Sequence, residues 1–321
     1  MRQFFLVLLA AMACFSAARA AEWRVIAATA EPASLRYDGV AEAQTGALRF
    51  LGGLELRSSD SDFGGFSALH VSDDGETFLA VSDNGAWLRA RLVYSDGRLT
   101  SAAHFEMAAM ENQAGAPLAR PHADAESLVF ENGRALVGFE RRHRIWAYAF
   151  TGDAIGLPSV VAAPARLARV PNNGGLEALA RLSGGRLVAI TERFRNEAGD
   201  LRGWIREGDQ WSEISVATPN PFGITDAAQG PDGALYLLER HFSTLGGMRV
   251  NLLRVRAENI APGARLDGER LARLDSRLRI DNFEGLSVRR DKQGRTLIYL
   301  ISDDNFNAIQ KTLLYMFEVM E

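Results

Sequence analysis

Acidic residues recur in this 321-residue chain at two fixed places within a repeated pattern. One set, Glu126, Glu177, Asp226 and Glu284, stands near the start of a short apolar stretch, and Ser67 holds the matching place in the first unit. A second set, Asp83, Glu140, Glu192, Glu239 and Asp303, ends the apolar stretch that follows. Two antiparallel strands joined by a tight turn bring the start of one beside the end of the other, so both sets are expected at one end of their units. Carboxylates crowded together raise one another's proton affinity, and such a group holds either protons or a cation. Oxygen donors without His or Cys suit Ca²⁺, which accepts about 6 to 8 oxygens in loose geometry, better than zinc. The expected calcium ligands are Glu126, Glu177, Glu284, Asp83, Asn84, Asp226 and Asp303. The pattern leaves one alternative open, a metal-free ring of ion pairs and turn hydrogen bonds between units.

Three acids of the second set are followed by arginine: Glu140-Arg141, Glu192-Arg193 and Glu239-Arg240. Neighbours on a strand face opposite ways, so each Glu and its Arg have different surroundings. The planar guanidinium pairs well with carboxylate or phosphate. Arg193 and Arg240 are therefore candidates to hold an anionic substrate, with pairing to an acid of the next unit as the structural alternative. Of the five histidines, His122 precedes the Asp124-Ala-Glu126 start and His241 follows Glu239-Arg240, so these two are the candidate general acid or base. No nucleophile elbow, Ser-His-Asp signature or P-loop is present.

The elements that must position these groups repeat five times. Units start near residues 65, 124, 175, 223 and 283. Each is a short apolar strand, a Gly-containing turn such as Asp74-Gly75 or Asn132-Gly133, and a second apolar strand, usually followed by a third. Asp-Gly and Asn-Gly accept the positive φ of hairpin turns. A spacing of roughly 50 to 60 residues matches one four-stranded blade of a β-propeller. The expected fold is all-β, a propeller with six four-stranded blades as the first reading and five or seven as the alternatives. Leu48 to Arg57 is read as the N-terminal strand that closes the ring beside the C-terminal strands and removes open sheet edges. A pair of β-sandwiches is the alternative, but sandwiches do not repeat one acid at one strand end five times.

Residues 1 to 20 read as a leader. Arg2 supplies the positive start, Phe4 to Cys14 the apolar run, and Ala18-Arg19-Ala20 the small residues before a cut ahead of Ala21. The run is too short to span a bilayer comfortably. Cys14 is the one cysteine, so the processed chain has no disulfide and no thiol nucleophile. The expected organisation is leader 1–20, extension 21–44 and propeller 45–321, periplasmic or secreted, with no membrane span once the leader is removed. A formal charge of −4 and the absence of a basic run argue against nucleic acid as a partner.

Phe66-Ser-Ala-Leu with Ser82-Asp-Asn-Gly, Asp124-Ala-Glu-Ser-Leu, Gly175-Leu-Glu-Ala-Leu and Asn282-Phe-Glu-Gly-Leu resemble the bacterial phytase-like family, known as "esterase-like activity of phytase". The resemblance spans roughly residues 45 to 319. It implies an exported propeller that hydrolyses ester or phosphoester bonds with calcium in its central channel, where the ion polarises the ester carbonyl. Glu126, Glu177 and Glu284 match the acidic strand starts, whereas the fourth unit departs with Thr225-Asp226. The lysine-rich phosphate site of true propeller phytases is absent, since Lys292 and Lys311 are the only lysines. Two functions stand at this point. One is a calcium-dependent hydrolase of a small anionic or ester substrate, and the other is a binding or scaffold propeller without catalysis.

Overall fold

The computed structural model of the protein describes residues 21–40 and 43–320, so the leader lies outside the described residues. The described chain is almost wholly β, arranged as a propeller of five sheets. The blades begin with the inner strands Phe66–Val71, Ala125–Glu131, Leu176–Leu182, Gly223–Gln229 and Asn282–Arg290. Each inner strand packs against the inner strand of the next blade, and the fifth returns to the first.

The blade number corrects the expected six. Leu48–Ser58 does not found a blade of its own. It pairs antiparallel with Thr312–Val319, from Thr312 opposite Leu56 to Val319 opposite Leu48, and so becomes the fourth strand of the fifth blade. The closure read from the sequence is present, and it completes an existing sheet. The extension adds edges to this framework. Ala28–Pro32 lies along Leu48–Ser58, and Arg24–Val25 along Arg98–Ala109 of the first blade. Residues 103 to 123 divide into the end of that Arg98–Ala109 strand and a loop without helix.

The turns follow their residues. Asn132 and Gly133 have φ of 50° and 69° between the paired Glu131 and Arg134, the two-residue primed turn whose twist matches the flanking strands. Second strands such as Leu235-Tyr-Leu-Leu read as unbroken apolar runs because both faces of a blade are covered by neighbours, and these residues are fully buried. Five apolar clusters each fill one gap between consecutive blades. Trp87 of the first blade meets Tyr148 of the second edge-on at 5.2 Å, a favoured aromatic geometry. Among the described residues, no helix is long and apolar enough to cross a membrane.

Candidate functional site

The five inner strands share one irregularity. In the first blade Phe66 faces Ser82, but Ala68 faces Val81, so Ser67 has no partner in the ladder. The same skip leaves out Glu126, Glu177, Thr225 and Glu284 in the other four blades. A β-bulge leaves its extra residue unpaired and re-aims the side chain. Repeated around the ring, it sends these five side chains towards the mouth of the central channel. Three of the five, Glu126, Glu177 and Glu284, lie close enough to feel one another's charge. Burial first, then Glu284, Asp124 and Glu140, push the Glu126 carboxyl well above its ordinary pKa. Burial, then Glu126, Glu192 and Glu140, do the same to Glu177.

A second tier stands across the hairpin. The amides of Asp83, Glu140 and Glu192 donate to the carbonyls of Gly65, Asp124 and Gly175 at 2.8, 2.8 and 2.9 Å. Asp303 pairs with Asn282 and Arg240 with Gly223 at the equivalent place. The tier is therefore Asp83, Glu140, Glu192, Arg240 and Asp303. In the fourth blade the structure departs from the sequence pattern by one residue in each strand. Thr225 takes the bulge and Arg240 the second tier, while Asp226 and Glu239 face the other way. Asp226 accepts the Leu286 amide of the next blade at 2.7 Å and the Ala227 amide at 2.8 Å. It is a brace between blades, not a member of the ring. Glu239 is buried and accepts Asn251 Nδ2 at 3.0 Å.

Arg240 is the cation inside the ring. Nη1 lies 3.2 Å from Glu284 Oε1 and Nη2 3.3 Å from Glu192 Oε1, with a further hydrogen bond to Asn282 Oδ1. Burial works against its charge, but Glu284, Glu192 and Glu177 hold its pKa up. Opposite it lies the densest group of acids. Asp124, Glu126 and Glu140 are all buried and present carboxylate oxygens within 4.8 Å of one another. Arg141 pairs with Asp124 from the rim, and Arg120 Nη2 meets Asp83 Oδ2 at 2.9 Å. Burial and Asp303 push Asp83 up to about 7, and burial and Glu284 push Asp303 up to about 7.

Several acceptors in this group lack partners. Asp83 Oδ1 is buried without a hydrogen bond. The carboxylates of Glu126 and Glu177, each only 9% exposed, have no hydrogen-bond or ion-pair partner among the described residues. Buried anionic oxygens without donors are costly. All are hard oxygen donors, the set a calcium ion takes. The arrangement therefore fits a divalent cation held by Asp124, Glu126 and Glu140, with Asp83, Glu177, Glu284 and Asp303 around it. Asn84 is exposed, and its amide donates to Ser82 Oγ at 3.2 Å.

Sequence reasoning missed Asp124 as a site residue and kept Glu140 out of the ligand set. The signal was the two-residue offset in Asp124-Ala-Glu126, repeated in Asn282-Phe-Glu284, which puts the residue before the bulge opposite the second tier. The histidines separate. His122 is exposed, and its carbonyl accepts from Arg144. His241 stacks 5.5 Å from the Phe222 ring and lines a cavity of about 670 Å³ with Glu192, Arg193, Arg195 and Arg240. Arg193 is the outermost cation there, 64% exposed and 2.9 Å from Glu192 Oε2. Arg195 is committed to the carbonyls of Gly199, Thr218 and Phe222.

Residues 61–306 match the phytase-like family, described as "Esterase-like activity of phytase". No curated protein matches the chain. Solved structures similar to it include the PQQ-bound aldose sugar dehydrogenase of Streptomyces coelicolor, at 12% identity, covering 86% of this chain and 99% of that one, with a TM-score of 0.44. The glutaminyl cyclase of Myxococcus xanthus is 10% identical, with 85% and 97% covered and a TM-score of 0.46.

Proposed function

Since the chain belongs to the phytase-like family of esterase-like activity, we propose that it is an exported, calcium-dependent hydrolase of a small anionic ester or phosphoester, acting at the mouth of the propeller. The carrying observation is the buried, partnerless pair Glu126 and Glu177 beside the Asp124, Glu126 and Glu140 triangle. The leader-like residues 1–20 and a cysteine-free remainder support export.

A calcium ion bound there supplies Lewis-acid polarisation of an ester carbonyl or phosphoryl oxygen. The remaining chemistry belongs to the chain. Arg240 pairs with both Glu192 and Glu284 and offsets part of their charge, whereas Glu126 and Glu177 have no such partner among the described residues. Arg193, at the exposed edge of the 670 Å³ cavity, meets the anionic part of a substrate as a planar fork. His241, in the same cavity and free of hydrogen bonds among the described residues, is placed to move a proton to or from the leaving group. His122 is exposed and does not line that cavity.

The test is thermal unfolding of the purified protein in excess chelator and after calcium is restored, followed by assay of a panel of esters and phosphoesters. A ligand that binds only the folded state raises its stability, by about 2.7 kcal/mol at one hundred times Kd. A calcium-specific rise with calcium-dependent turnover supports the proposal. A rise without turnover leaves a binding propeller, and no rise in a verified metal-free sample removes the cation altogether.

A further inference from the structure

A cavity of about 350 Å³ lies between the first and second blades, several residues along the strands from the acidic mouth. Its volume falls at the small end of the range for small-molecule sites. Three aromatic side chains from three parts of the chain wall it: Trp23 of the extension, Phe130 of the second blade's inner strand and Phe150 of its third strand. Phe130 and Phe150 meet edge-on at 5.3 Å, and the His70 ring tilts against Phe130 at 5.2 Å. The Arg89 guanidinium lies 4.3 Å over the Trp23 ring. It is held there by Glu106 and Asp153, each at 2.8 Å, so the charge of the lining Glu106 is already taken up. The result is a cleft with aromatic walls.

Two ring N–H groups at this cleft lack acceptors. Trp23 Nε1 is buried and has no hydrogen-bond partner. The His70 ring has none among the described residues. Burial pushes its pKa down to about 4, so near neutral pH it is uncharged and carries one N–H. At the opening, Arg91 is 61% exposed and its nearest acid, Glu76, stands 4.0 Å away. A buried donor left unmatched costs roughly 1–3 kcal/mol, and an acceptor on a ligand removes that cost. Apolar ring walls, unmatched N–H groups and one loosely paired cation together complement an aromatic ring that carries a single negative charge.

We propose that this cleft binds a small aromatic carboxylate. One ring, or two fused rings, packs between Trp23, Phe130 and Phe150, and the carboxylate meets the donors of His70 and Arg91. The site is independent of the cation at the mouth and of any hydrolysis there. The test uses 2-naphthoate and its uncharged counterpart 2-naphthylmethanol, titrated into the purified protein by calorimetry and by ligand-observed NMR. Saturable binding of the naphthoate is expected, with the alcohol weaker by about tenfold, the worth of one charge-assisted hydrogen bond. Arg91→Gln, at an exposed position, weakens the naphthoate by a similar factor and leaves the alcohol unchanged. Phe130→Ala weakens both, and Glu284→Gln at the mouth changes neither. The idea is overturned if the naphthoate does not bind, if the alcohol binds equally well, if Arg91→Gln has no effect, or if Glu284→Gln removes binding. Should Phe130→Ala fail to fold, the comparison of the two ligands on Arg91→Gln still decides.

Discussion

Arg240 Nη1 stands 3.2 Å from Glu284 Oε1, so one blade answers with a cation the carboxylate that its neighbour places in the same ring. Glu192 meets the other arm of the same guanidinium at 3.3 Å. Removing one member of a buried ion pair leaves its partners desolvated and uncompensated, at a cost of about 3–5 kcal/mol. Arg240→Met is expected to lose stability of that order in chelator, measured by urea unfolding. A smaller loss in saturating calcium is expected, because the cation can then shield Glu192 and Glu284. Equal stability of variant and wild type in chelator would show that the ring does not need this charge.

Glu126→Gln and Glu177→Gln act in the opposite direction. Each removes a buried charge that has no donor, so each is expected to stabilise the metal-free protein and to abolish most of the calcium-induced rise in Tm. Asp226→Ala provides the contrast. It deprives the Leu286 amide of its acceptor and is expected to cost about 1–3 kcal/mol, with the calcium response intact. Paired melting curves with and without calcium separate the three variants.

Asp83 and Asp303 give the pH dependence its sign. Both are raised to about 7 in the folded protein, above the ordinary carboxylate value of about 3.9. Groups raised in this way favour folding most when protonated in both states, and that contribution is lost as pH climbs from about 4 through about 7. In chelator, Tm is expected to fall across this window. Calcium competes with those protons, so its stabilisation is expected to grow over the same interval and to vanish near pH 4. A calcium effect that is flat with pH would exclude these acids from the site.

His241→Ala is expected to lower kcat for a responsive substrate by about a hundredfold, the lower range for general acid–base catalysis. His122→Ala is expected to leave the rate within twofold of wild type by order of magnitude. Initial rates at saturating calcium distinguish the two, and a reversed order would move the proton-transfer role to the other side of the mouth.

The repeat, its turns and the end of the blades that bears the acids were legible in the sequence because they are local. Apolar runs, Asn132-Gly133 and the acids at the strand starts and ends all act within one hairpin. Blade number was not: the closure by Leu48–Ser58 beside Thr312–Val319 was expected, but that this strand completes the fifth sheet and founds no sixth is visible only in the ladder. The fourth blade misled for a different reason. Asp226 and Glu239 are acids at nearly the right spacing, yet a one-residue offset turns a strand side chain to the opposite face. Once the bulge is counted, Thr225 and Arg240 fall at the mouth. The grouping of Asp124 with Glu126 and Glu140 joins residues on both strands of a hairpin, and the bulge that aims Glu126 is visible only in the ladder.

The shared sheet of Leu48–Ser58 and Thr312–Val319 also sets an order of events during synthesis. Blades one to four contain their own inner strands and hairpins and can gather as they emerge. The fifth remains without its third strand until Thr312–Val319 has been made. Contacts of such long sequence separation are slow to form, and until then the edge of Leu48–Ser58 stays open to other chains. Asp83 in the first blade and Asp303 in the last influence each other's charge only across that closed seam. The acidic mouth is therefore complete only once Thr312–Val319 has joined Leu48–Ser58.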